Sequence, residues 1–198
     1  MIVITSPVAI KNEAALINAM FENGLELLHI RREDANVYET RKLIETINPV
    51  FHSFLVLHDN HELAAEYNIK RLHFKEAVRA IQTVEQLSSL HQRGIVLSTS
   101  VHDWESYQKL SPVFSYAFIG PVFNSISKTG YKAMVHTVKV YTNKGISRVA
   151  IGGITKENCI SSLLKPFEDI AVLGTIWMSD TPLDEFKELQ RIWNMRDR

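Results

Sequence analysis

Histidine recurs where short apolar runs give way to polar residues: His29 in L28-H-I-R-R-E-D34, His58 in L57-H-D-N-H61, His73 in R71-L-H-F74 and His102 in S98-T-S-V-H-D103. Imidazole is the side chain whose ordinary pKa lies nearest neutral pH, so it can take a proton and return it. His102 is the strongest candidate for such a general acid/base, because it follows Ser100 in a serine-rich turn and precedes W104-E-S-Y-Q-K-L110. A plain helix-entry position is the competing reading. The four histidines with Asp59 also raise a metal site, since such sites need N and O ligands converging on one point. No H-x-H pair or H-E-x-x-H motif is present and the spacing does not show that the rings converge, so a histidine metal site is not expected. His58 and His61 read as capping or water-facing residues, and His52, His91 and His136 as surface residues.

A second set of residues suits anions. Gly152 and Gly153 follow the run R148-V-A-I151, and L173-G174-T175 follows I170-A-V172. Glycine lets backbone N–H groups approach a phosphate closely, and a short helix start adds a favourable dipole. Gly152, Gly153, Leu173 and Gly174 are therefore expected to bind phosphate. The loop N124-S-I-S-K-T-G130 offers Ser125, Ser127 and the ammonium of Lys128, and Arg31 adds a guanidinium after an earlier run. Together with His29 and Ser100 these are expected to bind substrate.

Something must gather residues so widely separated. Eight short apolar runs recur: 2–5, 25–30, 54–57, 71–74, 95–98, 116–120, 148–152 and 170–173. Several are apolar on both faces, as buried parallel strands are. Between them lie helical patterns at 12–22, 37–47, 61–67, 83–92, 103–110, 134–143, 156–164 and 183–193, most of them ending at Gly or before Pro. Strict alternation predicts a parallel sheet, and eight units favour a single-domain (β/α)8 TIM barrel over residues 1–198. An open doubly wound sheet is the competitor, but no G-x-G-x-x-G follows the first strand. In a barrel, chemistry belongs to the strand-to-helix loops, where the polar and glycine residues above all fall.

Composition sets the outer bounds. The 22 Lys and Arg balance 22 Asp and Glu, so no basic field attracts nucleic acid. Cys159 is the one cysteine, which excludes an internal disulfide, and it reads as a small core residue on a short helix. Trp104, Trp177 and Trp193 read as packing anchors. No apolar run approaches the roughly 20 residues of a bilayer span, and the sequence reads as that of a cytoplasmic soluble protein with small-molecule partners. Ordinary amphipathic helix faces leave the oligomeric state open.

The motifs L28-H-I-R-R-E-D34, L55-V-L-H-D-N-H-E-L-A64, R71-L-H-F74, S98-T-S-V-H-D103, F118-I-G-P-V-F-N-S-I-S-K-T-G130 and V149-A-I-G-G-I-T155 together resemble the thiamine phosphate synthase/TenI superfamily of phosphate-binding barrels. Two branches share that scaffold. The synthase branch joins a pyrimidine diphosphate to a thiazole phosphate and releases pyrophosphate with Mg2+, and Asp59 matches one of its metal ligands. The second expected Asp aligns with Val78, the Asn before the first with His58, and a Lys with Glu33. H29-I-R-R-E and S100-V-H102-D are instead similar to the TenI branch, a thiazole tautomerase. The resemblance therefore implies, first, a tautomerase acting on a thiazole carboxylate phosphate, with His102 as general acid/base and no cofactor. A thiamine phosphate synthase using Mg2+ through Asp59 is the alternative, and a non-catalytic phosphate-binding barrel the second.

Overall fold

The computed structural model describes residues 1–32, 36–124 and 145–195. All eight expected strands form: β1 (Ile2–Ile4), β2 (Leu27–Ile30), β3 (Leu55–Leu57), β4 (Arg71–Phe74), β5 (Val96–Val101), β6 (Phe114–Ile119), β7 (Ser147–Ile151) and β8 (Asp169–Val172). They pair in parallel in sequence order, and β8 closes on β1 to complete a (β/α)8 barrel. The open-sheet alternative is thereby excluded.

Among the described residues the α-helices are α1 (Glu13–Glu22), α2 (Val37–Thr46), α3 (Leu63–Glu66), α4 (Glu76–Ala80), α5 (Val84–Gln92), α6 (Trp104–Gln108), α7 (Gly174–Trp177) and α8 (Pro182–Asn194). Local chemistry starts several of them. Thr83 and Gln86 make a reciprocal capping box for α5, and the Asn36 side chain accepts from the Glu39 N–H at the start of α2.

One expectation needs correction, two short helices were not expected, and one expected helix falls outside the described residues. Residues 156–164 form turns and a short 3-10 segment, Ser162–Leu164, rather than an α-helix. The Asn158 side chain explains this: it accepts from the Thr155 N–H and donates to the Gly153 carbonyl, both at 2.8 Å, competing with helical bonding. Cys159 is nonetheless fully buried, as a core residue should be. The sequence pattern also missed α4 and α7, which are too short to reveal a period. The expected helix at 134–143 lies outside the described residues.

Strand alternation creates two separate cores. One set of residues, including Val3, Leu28, Ile30, Leu57, Leu72, Phe74, Leu97, Ala117, Ile119, Ile170 and Val172, points outward against the helices. The intervening positions point into the barrel, where Ile2, Ile4, Tyr116, Phe118, Val149 and Ala171 pack together. Each fully buried aliphatic side chain contributes about 1.5–3 kcal/mol, so both cores are needed for closure. Around the closing seam the N-terminal ammonium pairs with Asp169 at 3.0 Å, and the Trp193 indole donates to the same carboxylate.

Candidate active site

The register of the barrel places polar inward positions from neighbouring strands at one level. His29 stands opposite Val56, one step from the end of β3 and His58, and His73 stands opposite Ser98. Three histidines read from sequence as separate strand-end residues therefore meet inside the barrel, and His58, expected to cap or face water, is buried with them. His29 Nδ1 lies 2.8 Å from His58 Nε2, while His29 Nε2 lies 2.7 Å from the Tyr116 hydroxyl. His73 is held between the Ser98 hydroxyl at 3.0 Å and the Ser100 hydroxyl at 2.8 Å. The His58 and His73 rings stack with centroids 4.0 Å apart.

Burial dominates the protonation of this cluster. It holds His29 and His58 well below the usual imidazole range and lowers His73 to about 3, with neighbouring cationic groups adding to the effect. The same burial raises the Tyr116 phenol to about 12. At neutral pH the cluster is a set of uncharged imidazoles, each able to donate one hydrogen bond and accept another. One nitrogen from each of the three histidines lies within 4.8 Å of the other two. Two imidazole nitrogens on one zinc-like ion stand roughly 3.3 Å apart, wider than the His29–His58 separation. Stacked His58 and His73 also fail to aim at a common point, so the cluster is a hydrogen-bonded network.

Above it lies a cleft of about 280 Å³ lined by Ile4, Arg31, His58, His73, Lys75, Glu76, Ser100, His102, Phe118, Ile151 and Leu173. These residues come from the carboxyl ends of strands, where barrel chemistry belongs. The buried Thr5 hydroxyl donates to the Arg31 carbonyl at 2.8 Å and accepts from the Arg31 N–H at 2.9 Å, fixing that residue's backbone. Next to it, Arg32 makes a buried two-pronged ion pair with Glu13, with contacts of 3.1 and 2.5 Å. Arg79 on α4 braces the end of β5 by donating to the Thr99 hydroxyl and, at 2.6 Å, to the Ser100 carbonyl. A larger cleft of about 620 Å³, between residues 159–167 and the end of α8, is lined mainly by apolar side chains and lies away from these groups.

Of the expected site residues, Arg31, Ser100, His102 and Leu173 share the cleft. His29 lies beneath it and meets it through His58. Ser125, Ser127 and Lys128, like Glu33, lie outside the described residues. Gly152 and Gly153 have φ of 100° and 64°, a left-handed region that favours glycine. A side chain at Gly152 would stand 2.6 Å from Pro121, and one at Gly153 would strike the Asn124 carbonyl. Both glycines thus let the β7 loop nest against the β6 loop. Gly174 opens α7, in which the Ile176 and Trp177 N–H groups both donate to the Leu173 carbonyl at 3.1 Å.

His102 is not the cap of the helix that follows. Asp103 does that work, accepting from the Ser106 N–H. The His102 Nδ1 lies 3.2 Å from the Gly120 carbonyl, which can only accept, so Nδ1 carries the proton there. Its Nε2 is 3.7 Å from Glu76, and the ring is 60% exposed.

The alternative with Mg2+ depends on hard oxygen ligands at near-octahedral positions. Both Asp59 oxygens are 2.7 Å from Lys75 Nζ. Glu76 faces His102 and Arg79, and Val78 packs against the outer core. Among the described residues the one grouping with metal-ligand spacing is the buried histidine cluster. The described donor set does not fit Mg2+.

A family model described as thiamine monophosphate synthase matches residues 1–176. A thiamine-phosphate synthase from Flavobacterium psychrophilum is 24% identical over 194 residues, covering 92% of this chain and 93% of that protein. Its counterpart from Bacteroides thetaiotaomicron is 27% identical over 196 residues, with coverage of 93% and 90%. The fold matches solved structures of thiamine phosphate pyrophosphorylases from Bacteroides thetaiotaomicron (TM-score 0.75, 22% identity, 98% of both chains) and Pyrococcus furiosus (TM-score 0.74, 18% identity, 98% and 96%). These similarities overturn the expectation of a thiazole tautomerase, and with it the general acid/base role of His102 in isomerisation. The likeness of H29-I-R-R-E and S100-V-H102-D to the other branch was local. Two short turns were outweighed by similarity along the whole barrel. No described helix is long and apolar enough to cross a membrane.

Proposed function

Because the chain belongs to the thiamine monophosphate synthase family, we propose that it is a transferase that joins a pyrimidine diphosphate to a thiazole phosphate. In that reaction the thiazole ring nitrogen forms a bond to the pyrimidine methylene carbon. The bond from that carbon to the diphosphate oxygen breaks, and pyrophosphate leaves with the electron pair. Negative charge grows on the leaving group, and fixed positive groups at that point lower the barrier most.

The observation that carries the reading is the near end-to-end similarity to proteins named thiamine-phosphate synthase, at 92% and 93% coverage of this chain. The cleft supports it, because Arg31 and Lys75 reach the same small volume as the Ser100 hydroxyl. Ser100 is positioned to orient a polar ring atom, with His73 fixing its hydroxyl from below. The turns at Gly152–Gly153 and Leu173–Gly174 hold the thiazole phosphate through backbone donors, assisted by Ser125, Ser127 and Lys128. His102 forms the rim beside Glu76.

The test is direct: incubate the purified protein with both substrates and measure thiamine phosphate and released pyrophosphate. Formation of the two in equal amounts is expected. Binding of the thiazole phosphate without turnover would make the reading wrong.

A further inference from the structure

The cleft presents an unusual charge arrangement for a site that handles a diphosphate. Asp59 follows β3 and Lys75 follows β4, and the ammonium sits 2.7 Å from both carboxylate oxygens. That geometry occupies the side of Asp59 with which a cation would otherwise engage. The second carboxylate at the mouth, Glu76, lies 3.5 Å from the Arg79 guanidinium and 3.7 Å from His102 Nε2. In this arrangement an Mg2+ ion at Asp59 would have to displace the Lys75 ammonium before its oxygen shell could form. The same Lys75 lines the cleft together with Arg31, whose backbone Thr5 fixes.

We infer that this cleft binds the diphosphate group directly through Lys75 and Arg31, without a divalent cation, and that Asp59 is the counter-ion from which the anion takes over the Lys75 ammonium. The identity of the ligand rests on the synthase reading; the metal-free mode of anion binding rests on the side chains alone. An ammonium about 2.8 Å from a phosphate oxygen makes a charge-assisted hydrogen bond, and a guanidinium can make two such bonds side by side. Lys75 is 39% exposed and Asp59 34%, so the ammonium can turn from the carboxylate toward an arriving anion without crossing a packed layer.

Inorganic pyrophosphate is the probe, titrated calorimetrically into the full chain in excess chelator and again in millimolar Mg2+. Pyrophosphate should bind in chelator, and Mg2+ should change its affinity by less than about threefold, under 1 kcal/mol. Lys75→Met should weaken binding about tenfold or more in both conditions, the scale of one charge-assisted bond. Asp59→Asn separates the two explanations: it should bind pyrophosphate at least as tightly as wild type, because it removes a competing negative charge. Loss of binding in Asp59→Asn, or wild-type binding that requires Mg2+, would overturn the inference while leaving the synthase reading in place. Absence of pyrophosphate binding in every condition would also overturn it. Metal-free binding with no coupling of the two substrates would support the inference and defeat the synthase reading. Melting curves of both variants identify any loss that comes from misfolding.

Discussion

Inside the barrel, the side formed by β2 to β5 and the side formed by β6 to β1 are built from different materials. The first contributes His29, His58, His73, Ser98 and Ser100, joined by hydrogen bonds of 2.8 to 3.0 Å. The second contributes Ile2, Ile4, Val149 and Ala171, joined by packing alone, with Tyr116 and Phe118 at the border. Phe118 illustrates the boundary, since its ring lies 4.7 Å from His29 and 4.9 Å from His73 between centroids. The cleft opens over both. Its polar side fixes where a substrate ring or diphosphate sits, and its apolar side excludes water and supplies shape. One side depends on protonation state and the other does not, and that difference can be measured.

Acid exposes it with the largest effect. Burial lowers the pKa of His29, His58 and His73 in the folded state, so below the unfolded value near 6.5 the unfolded chain binds more protons. Stability is therefore fully present above about pH 6.5 and is lost as pH falls from there toward the lowered folded values, about 3 for His73. Each histidine contributes about 1.4 kcal/mol per pH unit in that window, so the three together approach 4 kcal/mol per pH unit. Urea denaturation between pH 7 and 5 should show stability falling with a slope that steepens toward this limit as the unfolded imidazoles take up protons. His73→Gln should flatten it by about one proton, and a flat profile in wild type would mean the cluster is already charged.

How much of this was readable beforehand depended on distance along the chain. The eight strands were visible because buried parallel strands leave local apolar runs, and R71-L-H-F74 was placed to the residue. The convergence of the histidines was not visible. It is set by the stagger of β2, β3 and β4 around a closed barrel, and no local spacing encodes that. The Asp59–Lys75 pair was hidden for the same reason, being 16 residues apart in the loops that follow two different strands. Asp103 as the cap of α6 was open to reading, since Asp followed three residues later by Ser106 is a helix start.

Phe118→Ala tests the border between the sides. Removing a fully buried ring that touches both should cost about 3 kcal/mol or more, judged by the urea midpoint at pH 7.5. The loss should be nearly the same at pH 6.8, because the residue carries no proton. A loss that grows steeply with acid would show that Phe118 also shields the histidines.

Tyr116→Phe has a smaller effect of a different kind. It keeps the ring in the apolar cluster and removes the hydroxyl 2.7 Å from His29 Nε2. One buried imidazole nitrogen then lacks its partner, at a cost of about 1–3 kcal/mol. Protonation of His29 is disfavoured by burial, so the orphaned nitrogen cannot escape the cost by charging at neutral pH. Destabilisation with unchanged packing is expected, and a neutral outcome would place a water in the hydroxyl's position.

The smallest effect belongs to Ile2→Val, deep in the apolar side at 3% exposure. It removes one methylene among Ile4, Tyr116 and Val149 and leaves every hydrogen bond in place. The expected cost is about 0.5–1.5 kcal/mol, independent of pH from 8 to 6. The comparison with Tyr116→Phe is the informative part, because each variant deletes a single heavy atom from the barrel interior. If the two losses match and neither depends on pH, packing alone governs both sides. A larger loss for the missing hydroxyl, with His29 responding, assigns stability on β2 to β5 to hydrogen bonding and on β6 to β1 to contact.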